Sequence, residues 1–409
     1  MVATTMTQIT PQLRPFYVDG HVHIGRASRG EPIKISAAPS LTIEHVMGTA
    51  TEEKGIQILG IIDAVTPPVL RDLMQLVATD QLAAHKAGGL TTQRGLTLLL
   101  GGEIEIRGPH GGSAHFGAFV PTIDALKEFA RWLALEQTNP NLSSQRLKSA
   151  DATALGRLMQ ELDGILIINH AFTPHKGLYG NCVTHMAEMI DPQYVTTVEL
   201  GLSADTDMAD HLSELADFTF VTNSDAHSLS RVAREYHVVA LTSPTFAAYK
   251  SALLRATTEH IVKNVGLFPD LGKYHRTACA VCHTALENDL TPCKICGSTR
   301  VVRGVANRLE AIADLPIAQS PAFRPPYVHQ VPLTFIPGLG PKTMQKLLSH
   351  FRTEMNIINE VAMTDLSAVV GERLANLIVQ ARHGHLPIEA GHGGKYGKIL
   401  AADEVRTTS

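Results

Sequence analysis

The sequence predicts an α/β fold in which a large parallel sheet or barrel is followed by a cysteine-bearing module and a helical tail. Three observations predict it. Over the first 240 or so residues, short continuous apolar runs alternate with segments of helical spacing, the pattern of strands buried on both faces. Nearly every run ends in a histidine or a carboxylate, and the C-terminal ends of parallel strands converge on one face of a barrel. Four of the five cysteines fall between Cys279 and Cys296, too clustered for a disulfide framework.

FYVDG at 16 to 20 leads into His21 and His23, two positions apart, so a strand turns both to the same side. IQILGII at 56 to 62 ends at Asp63, and LTLLLGG at 96 to 102 ends at Glu103. ILIIN at 165 to 169 ends at His170, TTV at 196 to 198 at Glu199, and FTFVTNS at 218 to 224 at Asp225 and His227. Between them, IDALKEFARWLALEQ at 123 to 137 carries the spacing of an amphipathic helix. Mixed imidazole and carboxylate donors suit zinc, manganese, magnesium or iron, and more than four candidates require more than one ion. Clustered divalent ions lower the pKa of water and clamp a phosphate, so phosphoester hydrolysis is the chemistry such a set serves best. Glu105, His110 and His175 lie near these positions but off the pattern.

With 44% apolar residues the chain has material for one large core and smaller units besides. The net charge of −4 excludes a uniformly basic coat, but it is unevenly spread. Gly297 to Ser409 holds 12 Lys and Arg against 9 Asp and Glu, a balance of +3, which leaves −7 for the first 296 residues. No apolar run is long enough to span a membrane and the first residues lack a secretory pattern, so the expectation is a soluble, cytoplasmic protein. Cys182, alone in the first part, reads as a buried small apolar residue.

Cys279-x2-Cys282 and Cys293-x2-Cys296 are ten residues apart, a spacing that gathers four thiolates around one structural zinc and leaves no open position for catalysis. His283 is a spare donor beside them. After the proline-rich stretch at 315 to 332 comes FIPGLGPKTMQKLLSHF at 335 to 351. There Gly338 and Gly340 allow a tight hairpin before a helix with apolar spacing at Met344, Leu347 and Leu348, and Lys342 supplies charge for a backbone phosphate. The stretch resembles a helix-hairpin-helix motif, which grips DNA without reading its sequence. EAGHGGKYGK at 389 to 398 offers a second glycine-rich loop.

HVH at 21 to 23, Asp63, GGE at 101 to 103, AHF at 114 to 116, NH at 169 to 170 and SDAH at 224 to 227 together resemble the PHP (polymerase and histidinol phosphatase) superfamily. That likeness implies a distorted (β/α)7 TIM-like barrel with two or three metals, ligated by His21, His23, Glu103, His115, His170, Asp225 and His227. Asp225, Glu103 and His227 are the expected catalytic residues, with Asp63 and Glu199 added as ligands. PHP proteins usually have Asp-His where this chain has Asp63-Ala64, a departure that leaves two ions or three open. A small-molecule phosphatase, with the tail serving oligomerisation, is the alternative from the barrel alone.

The order of barrel, four-cysteine module and helical tail resembles more narrowly the endonuclease Q family of repair nucleases. VELGLSAD at 198 to 205, HAFTPHKGLYGN at 170 to 181 and NSDAHSLSRVAREYHVV at 223 to 239 support it. The resemblance implies a nucleoid-associated enzyme that cuts DNA 5′ of uracil, hypoxanthine, xanthine or an abasic site. It also implies a barrel over residues 1–267, a zinc module over 268–303 and a DNA-binding tail over 304–409. Phe116, Phe172 and Tyr179 are the candidates for stacking on an extruded base, and Arg26, Arg29 and Lys34 for clamping flanking phosphates.

Overall fold

The structure, a computed structural model, describes residues 12 to 286, 292 to 391 and 395 to 399. Part of the glycine-rich stretch near the C-terminus, residues 392 to 394, lies outside them. The apolar runs become strands: β1 (Arg14–Val22), β2 (Ile58–Ile61), β3 (Leu82–Ala84), β4 (Leu90–Thr92), β5 (Thr97–Arg107), β6 (Ser113–Val120), β7 (Ile165–Ile168), β8 (Thr197–Glu199), β9 (Thr219–Val221), β10 (Tyr236–Leu241) and β11 (His260–Gly266). β12 (Ala278–Cys279) and β13 (Val301–Val302) pair separately, and β14 (Tyr327–His329) returns to the large sheet. The main path runs β14-β11-β10-β1-β2-β5-β6-β7-β8-β9, with β3 and β4 as a hairpin on β5.

The sheet is mixed, where the sequence predicted a parallel one. β1, β2 and β5 are parallel, as are β7, β8 and β9, but β6 is antiparallel to both β5 and β7, and β10 is antiparallel to β1 and β11. Residues 108 to 112 are too few for a crossover helix; they turn the chain straight back, with Gly111 and Gly112 at φ of 95° and 66°.

The sheet curls until its far end meets its middle. Just past β9, Ala226 forms a parallel bridge with Val22 at the end of β1, held by His23 N to Ala226 O (3.2 Å) and Ala226 N to His21 O (3.3 Å). Where β1 lies against β2, a Cβ on Gly60 would stand 2.1 Å from the Gly20 carbonyl oxygen, so only glycine permits that approach. The helix Ile123–Glu136 forms as its spacing predicts, with Thr122 accepting from Ala125 N as a cap and Leu126, Phe129 and Leu133 buried in the main core.

Packing runs across residues 267 and 303. Helix Val305–Ile312 buries Val305, Leu309 and Ile312 in the main core, whereas Leu267 and Leu271 join the core of the tail. That second core gathers Leu347, Ile357, Ile358, Leu366, Ala375 and Ile378 from helices Pro341–Phe351, Glu354–Asn359, Met363–Val370 and Glu372–Arg382. Among the described residues, no helix is long and apolar enough to cross a membrane.

Candidate metal centre

The strand ends meet in two groups of donors. His21, His23 and Asp225 form one, and Glu103, His115 and His170 the other, the candidate atoms within each lying no more than 4.8 Å apart. β1 supplies His21, the residue just past its end is His23, and the bridge at Ala226 brings Asp225 to them. β5 supplies Glu103, antiparallel β6 supplies His115, and the turn after β7 supplies His170. Glu103 links the groups: Oε1 is 3.0 Å from His115 Nδ1, 3.5 Å from His170 Nε2 and 3.4 Å from His21 Nε2, while Oε2 is 3.6 Å from His23 Nε2. Asp225 Oδ1 stands 3.6 Å from His21 Nε2 and 3.5 Å from His23 Nε2. His170 and Asp225 have φ of 31° and 45°, a left-handed backbone that non-glycine residues hold only where the surroundings enforce it.

Asp63 and Glu199 stand behind the imidazoles. Asp63 Oδ2 accepts from Ile24 N at 2.7 Å and meets His23 Nδ1 at 3.0 Å. Glu199 meets His21 Nδ1 at 3.1 Å and also accepts from His170 N and the Asn223 side-chain amide. Each carboxylate accepts from Nδ1, which turns Nε2 towards the other donors, and with a divalent ion in place Nε2 would give up its proton to bind it. Those Nε2 atoms of His21 and His23 are buried without a hydrogen-bond partner among the described residues, and His115 Nδ1, although 3.0 Å from Glu103 Oε1, makes no aligned hydrogen bond to it. Buried nitrogens are rarely left so, and a set of imidazoles with two carboxylates between them fits divalent metal ions.

Charge is concentrated accordingly. Burial would raise the Glu103 carboxyl, but His115 and Lys34 outweigh it and hold it well below the usual range, with Lys34 Nζ 2.9 Å away. Asp225 is likewise held well below its usual value by His23, His21 and His227 against the effect of burial. Burial disfavours the His21 imidazolium, yet Glu199 and Glu103 raise it well above the ordinary value. His227, whose Nδ1 bonds its neighbour Asp225 O at 3.0 Å, is pushed by burial down to about 4.

In the cysteine module, Cys279 Sγ and Cys296 Sγ are 3.5 Å apart, as are Cys282 Sγ and Cys293 Sγ, and all four sulfurs lie within 4.8 Å. Four thiolates around a tetrahedral zinc stand about 3.8 Å apart, so the cluster is compatible with a zinc site.

Protein YqxK of Bacillus subtilis is 43% identical over 389 residues, covering 95% of this chain and 100% of its own length. Protein MJ0043 of Methanocaldococcus jannaschii is 35% identical over 255 residues, 57% of this chain and 31% of that protein. The lesion-specific endonuclease PfuEndoQ from Pyrococcus furiosus has a similar structure, with a TM-score of 0.81 and 26% identity over 97% of this chain and 100% of that one. An Endonuclease Q complex with a 27-mer duplex substrate, carrying an abasic lesion at the active site, matches at a TM-score of 0.83 and 27% identity over 96% and 98% of the two chains. The chain belongs to the endonuclease Q family. No family model matches it.

Other sequence candidates fall differently in this endonuclease Q family member. Phe116, Phe172 and Tyr179 are core residues, at most 1% exposed, with Phe172 and Tyr179 stacked on each other at 5.5 Å. Their faces are covered, which corrects the expectation that they stack on a base. Arg26 and Arg29 are exposed, whereas Lys34 is engaged by Glu103. Glu105 is held by Arg146 and Lys176, and His110 pairs with Glu188 on the surface. Cys182 is buried, its thiol pushed up to about 11 by burial. Gly338, at φ of 85°, and Gly340, which precedes helix Pro341–Phe351, are exposed with Lys342 beside them.

Sequence reasoning missed Arg231, Arg234, Lys273 and Tyr396, which line a cavity together with His170, Asp225 and His227. The two arginines follow the SDAH motif within nine residues, and that proximity was the available signal.

Proposed function

We propose that this chain cuts DNA at damaged nucleotides, hydrolysing the phosphodiester on the 5′ side of a deaminated base (uracil, hypoxanthine or xanthine) or an abasic site. The family makes it a hydrolytic endodeoxyribonuclease. What carries the finer reading is the pocket of inward, unpartnered imidazole nitrogens in a chain whose full length resembles an endonuclease bound to an abasic-site duplex. The barrel here is of the distorted (β/α)7 kind, with the antiparallel β6 as its distortion.

In this reading His21, His23 and Asp225 hold one divalent ion, zinc, manganese or magnesium, and Glu103, His115 and His170 hold a second, with Glu103 between them. When bound, such ions supply positive charge that favours deprotonation of an attacking water and offsets the charge on the phosphoryl oxygens. Asp63 and Glu199 orient His23 and His21. Lys34 fixes Glu103. His227 has Nδ1 against Asp225 O, so Nε2 is the nitrogen it has left to meet the attacking water or the phosphate. Cys279, Cys282, Cys293 and Cys296 hold a structural zinc. Gly338 and Gly340 bring backbone N–H groups at the start of the exposed helix to a DNA phosphate beside Lys342, as a helix-hairpin-helix does.

The test is cleavage of a duplex carrying one uracil or one abasic site in magnesium or manganese. The wild type should nick 5′ of the lesion, leaving 3′-hydroxyl and 5′-phosphate ends, and spare the undamaged duplex. Asp225→Asn should lose at least about 100-fold in rate, and elemental analysis should find it short of metal relative to wild type. Equal cutting of undamaged DNA would defeat the lesion reading, and undiminished cutting by the variant would defeat the site.

A further inference from the structure

Beside the two donor groups lies a cavity of about 530 Å³, with His170, Asp225 and His227 on its lining together with Arg231, Arg234, Lys273 and Tyr396. Asp225 is the one carboxylate on that lining among the described residues, and it already faces His21 and His23. The cations come from separate parts of the chain: Arg231 and Arg234 follow β9, and Lys273 precedes the cysteine module.

Their charge is not neutralised. Arg231 sits over the rings of Phe335 (5.6 Å) and Tyr396 (5.3 Å), and its Nη1 is buried with no hydrogen-bond partner. Lys273 Nζ lies 5.0 Å from the ring of Tyr274 and 5.8 Å from that of Tyr396, with no carboxylate partner among the described residues. Arg234 donates Nε to Ser224 O at 2.8 Å and Nη1 to the Tyr396 hydroxyl at 2.7 Å, which anchors the wall to the residue before Asp225. Burial and the Arg234 charge both lower the Arg231 pKa, the signature of a cation that lacks its counter-ion. Two guanidinium groups and an ammonium on the lining of one cavity, with a single carboxylate among them, are suited to a phosphate.

We propose that Arg231 and Lys273 bind a second backbone phosphate of the DNA strand, next to the one that is cut, with Arg234 and Tyr396 bracing them. The assignment rests on the proposed DNA cleavage. It gives the centre a second grip on the strand that fixes register without reading a base.

Single-turnover cutting of an abasic-site duplex yields a half-saturating enzyme concentration and a maximal rate. Arg231→Gln and Lys273→Gln should each raise the first about 10-fold, leave the second within about 3-fold, and reduce the log–log salt slope by about one. Arg231 also packs on two rings, so Lys273→Gln, with its melting temperature recorded, separates lost grip from lost fold. Flanking phosphates replaced one at a time by neutral methylphosphonates should mimic Arg231→Gln at one position, and the variant should lose nothing further on that substrate. Additive losses at every position, or half-saturation unchanged in both variants, would overturn the proposal. If the wild type does not cut at all, the function reading fails instead, and calorimetric titration with thymidine 3′,5′-bisphosphate decides the phosphate site. Binding that Arg231→Gln abolishes upholds it, and no binding by wild type sinks it.

Discussion

Asp63 and Glu199 end their apolar runs in the same way as Glu103, yet their carboxylates meet the outer Nδ1 of His23 and His21, and Glu103 meets the inner nitrogens. A position at a strand end says which face a side chain occupies, not which atom it meets, so ligand and orienting residue look alike in the sequence. Removing the Asp63 charge should let the His23 ring turn or change tautomer. Asp63→Asn is therefore expected to weaken metal binding about 10- to 100-fold. Metal titration of the two proteins measures it, and equal affinities would make Asp63 a bystander. The aromatic candidates failed for a related reason. Phe116, Phe172 and Tyr179 are close to the metal residues in sequence, but Phe116 on β6, Phe172 in the turn after β7 and Tyr179 in the short helix Leu178–Cys182 all pack into the core, and no local signal separated a stacking ring from a core ring.

Among elements, the strands that end in functional groups were legible because continuous burial leaves a continuous apolar run, and β2 and β7 are buried throughout. Their direction was not. β6 carries His115 into the site only because residues 108 to 112 make a hairpin, and the glycines of GPHGG were the readable sign of it. Glu235, fully buried ahead of β10, accepts from Leu267 N at 2.8 Å and leaves Oε2 unpartnered. Burial raises its pKa to about 8; the Leu267 N–H and Arg234 oppose this, while Glu199 and Asp19 add to it. The Tyr327 hydroxyl, also beside it, is a neutral phenol at these pH values. The folded state holds this proton more tightly than the unfolded state, so the stabilisation is complete below about pH 4.5 and lost as pH climbs towards 8. The difference in melting temperature between wild type and Glu235→Gln should accordingly fall from about pH 5 to about pH 8, and a constant difference would mean that Glu235 is ionised when folded.

In the whole molecule, the tail is fastened to the barrel on the side where strands begin as well as near the site. Lys54, 3% exposed at the end of the segment before β2, pairs with Glu354 of the tail helix Glu354–Asn359 at 2.7 Å. Close by, Gly55 stands against Thr353, and the Tyr17 hydroxyl donates to Glu360 at 3.4 Å. A buried pair of this kind contributes little over two apolar groups, but breaking it would leave the Lys54 charge with only the Ser230 carbonyl at 3.5 Å. Glu354→Ala should therefore destabilise the chain by about 3 to 5 kcal/mol, well beyond what an exposed glutamate gives, whereas Lys54→Met combined with Glu354→Leu should recover most of that loss. Because the tail also carries Tyr396 and the exposed turn at Gly338, loosening it should, on the proposed function, weaken DNA binding before it alters any metal content at the strand ends. Denaturant melts of the three proteins, followed by DNA affinity and elemental analysis on the same samples, separate the outcomes. Equal stability of the single and double variants would mean that the pair is solvated and that other contacts hold the tail.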